Sequence, residues 1–187
     1  ADWKFHLDLW QFPFQLTDLI RSQGNLGVEP FSTEYFSLIA PFYRLLADAG
    51  QKAITAYIKD GAFKSGQTMV EWTKNTDGSW SYEFTDFDRY VDSMMNWGIS
   101  GQISCFSVAG WQNSVRYSDA ASGTVQQLDL PIGSEIFNSI WQNFLTVFKN
   151  HLVSKGWFEK TVLYMDESPD ASMTAIINTI KANDNNW

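Results

Sequence analysis

Four short apolar runs recur along the chain, and a stretch with helical periodicity follows each of them. The runs cover residues 5–10, 53–58, 102–108 and 161–166. Their near-continuous apolar and β-favouring residues are typical of strands that are covered on both faces. Strand and helix alternating in strict order predict a parallel sheet with right-handed crossovers.

Three of the helical stretches carry start or stop signals. Thr85 is predicted to cap a helix that Gly98 ends, and Ser134 is predicted to cap a longer helix that Gly156 ends. Pro169 is placed at the entry of the last helix, where proline is favoured. These signals predict one amphipathic helix after each of the last three strands.

The remaining connections are irregular. A helix over residues 36–48 contains Pro41, so we expect it to kink or restart there. The segment 60–84 holds a predicted hairpin that turns at residues 75–78, and 109–133 reads as a long polar loop. Long segments after strands are what (β/α) barrels use to build active sites.

The order of the elements defines the fold class. A complete eight-fold barrel needs about 250 residues, and four βα units make half of one. We therefore expect an α/β protein with a (β/α)8 TIM-type barrel, of which residues 1–187 form the N-terminal half as a single domain. A doubly wound open sheet is the alternative, but it needs a glycine-rich first turn, and residues 10–14 contain no glycine.

Composition and net charge limit the classes of partner that the chain could bind. The 187 residues carry a formal net charge of −8, which argues against nucleic acid and against electrostatic docking on anionic membrane. No uncharged apolar stretch is long enough to cross a bilayer. The single cysteine, Cys105, lies in an apolar run and is predicted to be a buried, inert thiol. Aromatic residues make up 16% of the chain, and tryptophan in loops often forms a platform for ring-shaped ligands.

Two adjacent carboxylates, Asp166 and Glu167, stand where the fourth apolar run ends. Charges are costly to bury and two carboxylates repel, so at least one pKa should be displaced, as acid–base catalysis requires. The alternative is that both side chains only stabilise the first turn of the last helix. The residues alone leave these two interpretations open.

Other candidates lie on the first and second strands and on the polar loop. Alternation places His6, Asp8 and Trp10 on one face of the first strand, with the inward carboxylate of Asp8 predicted to be part of a site and His6 predicted to be a core histidine. Trp10 and Trp111 are predicted to stack on a ring-shaped ligand, against the alternative that they pack beneath loops. Tyr57 is a further candidate for contact with substrate. No metal-ligand spacing is present, so we expect no catalytic metal.

The chain resembles the catalytic domain of glycoside hydrolase family 123, the β-N-acetylgalactosaminidases and their relatives. The motifs that carry the resemblance occur in order along nearly the whole chain: HLDLWQFP at 6–13, AGQKAIT at 49–55, DGSW at 77–80, FDRY at 87–90, GI at 98–99, KGWFEK at 155–160 and MDE at 165–167.

This resemblance implies a TIM-type barrel and retaining hydrolysis assisted by the 2-acetamido group of the substrate. It implies that Glu167 is the general acid and base and that Asp166 stays ionised. Asp8 would then bind sugar hydroxyls or pair with a cation in the second half of the barrel, and Trp10 and Trp111 would stack on a sugar ring. We expect no cofactor, and the resemblance implies that the protein is secreted, periplasmic or on the cell surface. The rest of the barrel, or another copy of the chain, is expected to cover the open sheet edges, and the 187 residues alone are expected to be inactive. The alternatives are a non-catalytic carbohydrate-binding barrel and a two-carboxylate glycosidase with its nucleophile in the second half.

Overall fold

The computed structural model describes residues 5–25, 27–110, 113–165 and 169–187. The elements follow in the order α1 (Pro13–Ser22), α2 (Thr33–Asp48), β1 (Ala53–Tyr57), β2 (Glu71–Lys74), β3 (Trp80–Glu83), α3 (Thr85–Asn96), β4 (Gln102–Phe106), β5 (Ser114–Asp119), β6 (Thr124–Asp129), α4 (Glu135–Lys155), a 3-10 helix (Phe158–Lys160), β7 (Thr161–Leu163) and α5 (Asp170–Asn183). They form two compact units, the first of Ala1–Ala56 with Asp86–Ser104 and the second of Tyr57–Thr85 with Cys105–Trp187.

Three of the predicted strands form a sheet in the order β1-β4-β7. In the first unit the Lys52 carbonyl accepts from the Gln102 amide, and in the second the Ile58 amide donates to the Phe106 carbonyl. The partners advance along both strands together, which is the pattern of a parallel pair. The parallel sheet is therefore confirmed for these strands, while the closed eight-stranded barrel stays a prediction.

The prediction that residues 5–10 form a regular β-strand is wrong. Residues 5–10 form only one parallel bridge, between Leu7 and Gln51. Beyond it, side chains replace the backbone ladder: the Gln51 side chain accepts from the Leu9 amide at 3.0 Å and donates to the Leu9 carbonyl at 3.0 Å. Gln11 and Thr55 exchange two further bonds of this kind, at 3.0 and 2.8 Å. The apolar pattern identified a chain segment beside β1 but could not show that side chains would hold it.

The helices of the first unit differ from prediction in two places. Helix α1 was not predicted, although Pro13 stands at its first turn, where proline is favoured. Helix α2 is continuous over Thr33–Asp48, so the restart expected at Pro41 does not occur, while the alternative of a kink there stays a prediction. Pro41 is exposed, and the opposite side of α2 is buried, so packing holds the helix together despite the missing backbone donor. Helix α3 and its buried stripe of Phe87, Tyr90, Val91 and Met94 are confirmed.

The second unit contains a mixed sheet in the order β3-β2-β5-β6. The predicted hairpin is confirmed as β2 and β3, with a turn that the Asn75 amide closes on the Ser79 carbonyl at 2.8 Å. The long polar loop predicted for 109–133 is wrong, because β5 and β6 form a second hairpin there and β5 pairs with β2 in parallel. Nearly every residue of β6 is exposed, so its polar composition does not alternate as a half-buried strand does.

Aromatic packing forms the core of this second unit. Trp72 stacks on Phe144 with ring centroids 4.5 Å apart, and Trp141 meets both rings edge-on. Helix α4 begins as predicted, with the Ser134 hydroxyl accepting from the Phe137 amide, and ends at Gly156 in the left-handed conformation. Many aromatic residues therefore build the core rather than ligand platforms. No helix among the described residues is long and apolar enough to cross a membrane.

Candidate functional site

The carboxyl ends of β1, β4 and β7 meet at one edge of the parallel sheet, and four aromatic rings line it. Tyr57 ends β1, Phe106 ends β4 and precedes a cis peptide bond, and Tyr164 follows β7. Phe63 lies between Tyr57 and Phe106, with centroid distances of 4.9 and 5.0 Å, and Phe106 lies 4.5 Å from Tyr164. Hydrogen bonds of Tyr164 to Cys105 and Val108 extend the β4–β7 pairing to this edge.

The predicted carboxylate pair follows directly in sequence. Asp166 and Glu167 lie outside the described residues, as does Trp111. The described neighbours are Met165 on one side and Pro169 on the other, and Pro169 immediately precedes α5 as predicted. In the sequence, only Met165 separates Tyr164 at the aromatic edge from Asp166.

Tyr57 does not reach solvent in this structure. Its side chain is completely buried, and Phe63 packs on its ring. A substrate could reach the Tyr57 side chain only if the residues packed around it moved. Sequence reasoning could not anticipate this cover, because Phe63 comes from the irregular segment that follows β1.

The other predicted residues lie in the first unit. Asp8 is half-buried, and Trp10 is 54% exposed. His6 is exposed, and the prediction that it is a core histidine is wrong. The regular alternation behind that prediction fails because residues 5–10 do not form a strand.

Sequence reasoning missed a second group of charges at a strand end. Lys59 and Asp60 directly follow the buried end of β1, and both are buried. The Lys59 ammonium donates to the carbonyls of Asp60 at 3.2 Å and Ser114 at 3.4 Å, so it joins the segment after β1 to the start of β5. Asp60 accepts from the Gln67 amide at 2.8 Å, and its other oxygen lies 3.7 Å from Nε of Arg116. The signal that marked Asp166 and Glu167, charges where an apolar run ends, was also present here.

A pocket of about 300 Å³ opens beside Asp60. Its lining comes from the segment after β1 and from strands β2, β5 and β6: Asp60, Gly66, Thr68, Glu71, Trp72, Arg116, Tyr117, Ser118 and Val125. It combines carboxylates, a guanidinium and aromatic rings.

Cys105 offers no nucleophile at this edge. Burial raises the pKa of the Cys105 thiol, so the thiol stays protonated and unreactive. Among the residues that the structure describes, no three His, Cys, Asp or Glu side chains are grouped so that they could hold a metal ion.

Comparison with known proteins identifies the family. The model of the glycoside hydrolase 123 catalytic domain matches residues 20–187. A solved structure of a family 123 glycoside hydrolase from Clostridium perfringens, described in terms of glycolipid glycan hydrolysis, superposes with a TM-score of 0.84 at 27% identity. The match covers 92% of this chain and 31% of that chain, so this chain spans under a third of the length of that relative. None of the curated protein sequences matches. The match over residues 20–187 is decisive, and the chain belongs to the family of the glycoside hydrolase 123 catalytic domain.

Proposed function

We propose that this chain provides part of the active site of a glycoside hydrolase that releases a terminal N-acetylated aminosugar, of the N-acetyl-β-galactosaminide type, from a glycan. The family match carries this proposal, because it extends over residues 20–187 and so includes the Asp166–Glu167 pair beyond β7. The relative is described as acting on a glycolipid glycan, and we propose a substrate of similar class here.

In the proposed first step, the acetamido carbonyl oxygen of the substrate attacks the anomeric carbon. The glycosidic bond breaks with its electron pair passing to the leaving oxygen, and Glu167 donates the proton that this oxygen takes up. The product is a cyclic oxazolinium ion. Asp166 accepts a hydrogen bond from the amide N–H and balances the positive charge that develops there.

In the second step, ionised Glu167 takes a proton from water as the water oxygen attacks the anomeric carbon from the opposite face. The bond between the anomeric carbon and the acetamido oxygen breaks, which restores the amide. Two inversions give net retention of configuration, and no protein nucleophile is required.

The remaining predicted residues would hold the sugar. Asp8 would bind hydroxyl groups, and Trp10 and Trp111 would stack on the ring. Tyr57 would join them only after a rearrangement exposes it, because its side chain is completely buried. We propose no cofactor and no metal in this chemistry.

The same proposal covers partners and location. The net charge of −8 supports a glycan ligand rather than nucleic acid. We propose that the remaining strands of a barrel, or a second copy, cover the open sheet edges. We also propose a location that is secreted, periplasmic or at the cell surface, without insertion of this chain into the membrane.

A thiazoline analogue of the oxazolinium ion tests the proposal. In the active enzyme it should inhibit hydrolysis of an aryl 2-acetamido-2-deoxy-β-galactoside competitively and far more tightly than the free sugar, as intermediate analogues do. A carbohydrate-binding barrel would show no hydrolysis. A two-carboxylate glycosidase would hydrolyse the substrate but would not bind the thiazoline more tightly than the product sugar.

A further inference from the structure

We propose that the groove between α2 and α3 is a docking site for an acidic amphipathic helix of another polypeptide, which places two carboxylates, two turns apart, against Arg44 and Arg89. All residues that line this groove belong to the first unit. The lining includes none of the residues predicted for sugar binding or catalysis. The proposal is therefore independent of the glycosidase chemistry.

The groove combines a floor of small side chains with aromatic walls. Ser37 and Ala40 of α2 and Ser93 of α3 supply the small side chains, and Phe36 and the half-buried Trp97 supply the rings. The two rings meet edge to face with centroids 6.2 Å apart, so each holds the other in place. The space between the helices is about 500 Å³. Small residues on the floor let the backbone of a further helix approach closely, while the rings give it apolar contact.

The two arginines stand at separate positions along the groove. Cζ of Arg89 lies 5.5 Å from the centroid of the Phe36 ring, which places this guanidinium at the level of Phe36. Arg44 comes two turns after Phe36 on α2, about 12 Å further along the helix axis at a rise of 1.5 Å per residue. Acidic residues seven positions apart on a docked helix lie on one face and about 10.5 Å apart. Their spacing therefore matches that of the two guanidinium groups.

The charges of the groove favour an acidic ligand. The whole chain has a formal net charge of −8, yet the lining contains two arginines and only one carboxylate, that of Asp92. Arg44 and Arg89 are exposed, and neither forms an ion pair with a residue in the part of the chain that the structure describes. A local excess of positive charge on an acidic protein steers and orients an anionic partner.

A second copy of this chain does not supply a helix of the required pattern. None of the helices in the described ranges has two acidic residues seven positions apart: α3 has its acidic residues at 86, 88 and 92, α2 has them at 34 and 48, and each other helix has one. Nucleic acid and anionic membrane, the other common anionic partners, are disfavoured by the net charge of −8. These observations favour a helix from a different polypeptide.

Fluorescence polarisation with labelled synthetic helices tests the groove on the purified chain. The probe is a stapled helix of alanine, leucine and glutamine that carries two glutamates seven positions apart. The control peptide has the same composition and charge, but its glutamates are five positions apart and so point about 140° away from each other. We expect the probe to bind about tenfold more tightly than the control, because only the probe can contact both arginines at once.

Substitutions in the groove should change the affinity for the probe in opposite directions. Arg44→Met and Arg89→Met should each weaken binding about tenfold, because a hydrogen bond between charged groups is lost. Asp92→Asn should tighten binding a few-fold, because the one like charge in the lining is removed. A gain in affinity cannot result from damage to the fold. The matched control is Arg116→Met, at an arginine that is 40% exposed on β5 of the second unit, which should leave binding unchanged.

Several results would overturn the proposal. One is the absence of binding, or equal binding of the probe and the control peptide. Another is unchanged affinity in Arg44→Met and Arg89→Met proteins that melt at the wild-type temperature, and a third is weaker binding by Asp92→Asn. If light scattering showed that Arg44→Met dissociates a self-associated chain, the groove would bind a second copy and the proposed partner would be wrong.

Discussion

Ionisable side chains are concentrated where the parallel strands end. Lys59 and Asp60 follow β1 and are buried, and Asp166 and Glu167 follow Met165 beyond β7. Burying a charge lowers stability unless hydrogen bonds or charged partners compensate. Lys59 donates hydrogen bonds to two backbone carbonyls, and Asp60 accepts a hydrogen bond and lies beside Arg116. Such positions in folded proteins are frequently functional. We propose a chemical role for Asp166 and Glu167, whereas Lys59 and Asp60 tie the segment after β1 to β5 and its start.

The role of Glu167 as acid is tested by its leaving-group dependence. In the active enzyme Glu167→Gln should greatly reduce hydrolysis of natural glycans, whose leaving oxygen needs a proton, and should reduce that of activated aryl glycosides far less. Steady-state kcat/KM on both substrates measures this difference. An equal loss on both would remove Glu167 from the acid role.

The role of Asp166 is tested by removing its charge alone. Asp166→Asn keeps the size of the side chain and should reduce turnover of 2-acetamido substrates on the order of 10²-fold or more, because the charge balance to the oxazolinium ion is lost. The comparison is made as kcat with wild-type enzyme, after equal melting temperatures have been established. Normal turnover in this variant would show that Asp166 takes no part in the mechanism.

Part of the candidate site could be predicted from single residues and part could not. Asp166 and Glu167 could be predicted as site residues, because two charges end an apolar run and because the surrounding motifs resemble one family. The ion pair of Asp60 with Arg116 could not be predicted, because Arg116 lies on β5 of the β5–β6 hairpin. This hairpin was not predicted, since the mostly exposed residues of β6 show no alternating pattern. The packing of Phe63 on the buried Tyr57 ring could not be predicted either, because Phe63 lies in an irregular segment without a periodic pattern.

At the scale of elements, the helices with capping signals were predictable and the side-chain-bonded segment was not. Ser134 and Gly156 mark the two ends of α4, because a capping serine and a glycine in the left-handed conformation act on the helix end next to them in sequence. Residues 5–10 instead lie beside β1 through the amides of Gln51 and Gln11, and no local pattern distinguishes that arrangement from a backbone ladder. Local sequence signals therefore predict local structure, whereas hydrogen bonds between residues far apart in sequence can be identified only once the fold is known.

The mixed sheet is joined to α4 through Trp72, and this contact is testable. Trp72 stacks on Phe144, and its indole N–H donates to the Ile58 carbonyl at 2.9 Å. Trp72→Ala should lower the free energy of unfolding by about 3–5 kcal/mol, since a large buried side chain is removed. Trp72→Phe should lower the free energy of unfolding by less, because it keeps the ring stack and loses only the hydrogen bond.

Urea denaturation followed by circular dichroism measures these differences. The control is Leu45→Ala, at a position that is 67% exposed on α2, where no such loss is expected. If Trp72→Ala cost no more than Leu45→Ala, the aromatic stack would not hold the sheet to the helix.

At the scale of the whole molecule, the edge of the parallel sheet at β7 carries uncovered apolar surface. Val162 is 41% exposed and Ile177 is 42% exposed, and with Leu163, Met165 and Ile180 they line an apolar groove. Leaving such surface in water is unfavourable by roughly 25 cal/mol per Å². An open strand edge adds unpaired backbone groups that can bind a further strand.

We therefore expect the isolated 187-residue chain to associate with other copies rather than persist as a monomer, and to be inactive alone. Size-exclusion chromatography with light scattering measures the mass directly. Val162→Lys, on the edge strand, should reduce association, whereas Val153→Lys, an exposed position on α4, should not. A monodisperse, cooperatively melting monomer with glycosidase activity would contradict this expectation.

The most direct test of the central claim, that the acetamido group of the substrate is the nucleophile, varies that group alone. Aryl galactosides with N-acetyl, N-fluoroacetyl, N-difluoroacetyl and N-trifluoroacetyl groups differ mainly in the electron density of the carbonyl oxygen. If this oxygen attacks the anomeric carbon, kcat/KM should fall steeply and progressively with each added fluorine, by orders of magnitude across the series. A kcat/KM that does not change with fluorination would show that the enzyme uses a different nucleophile.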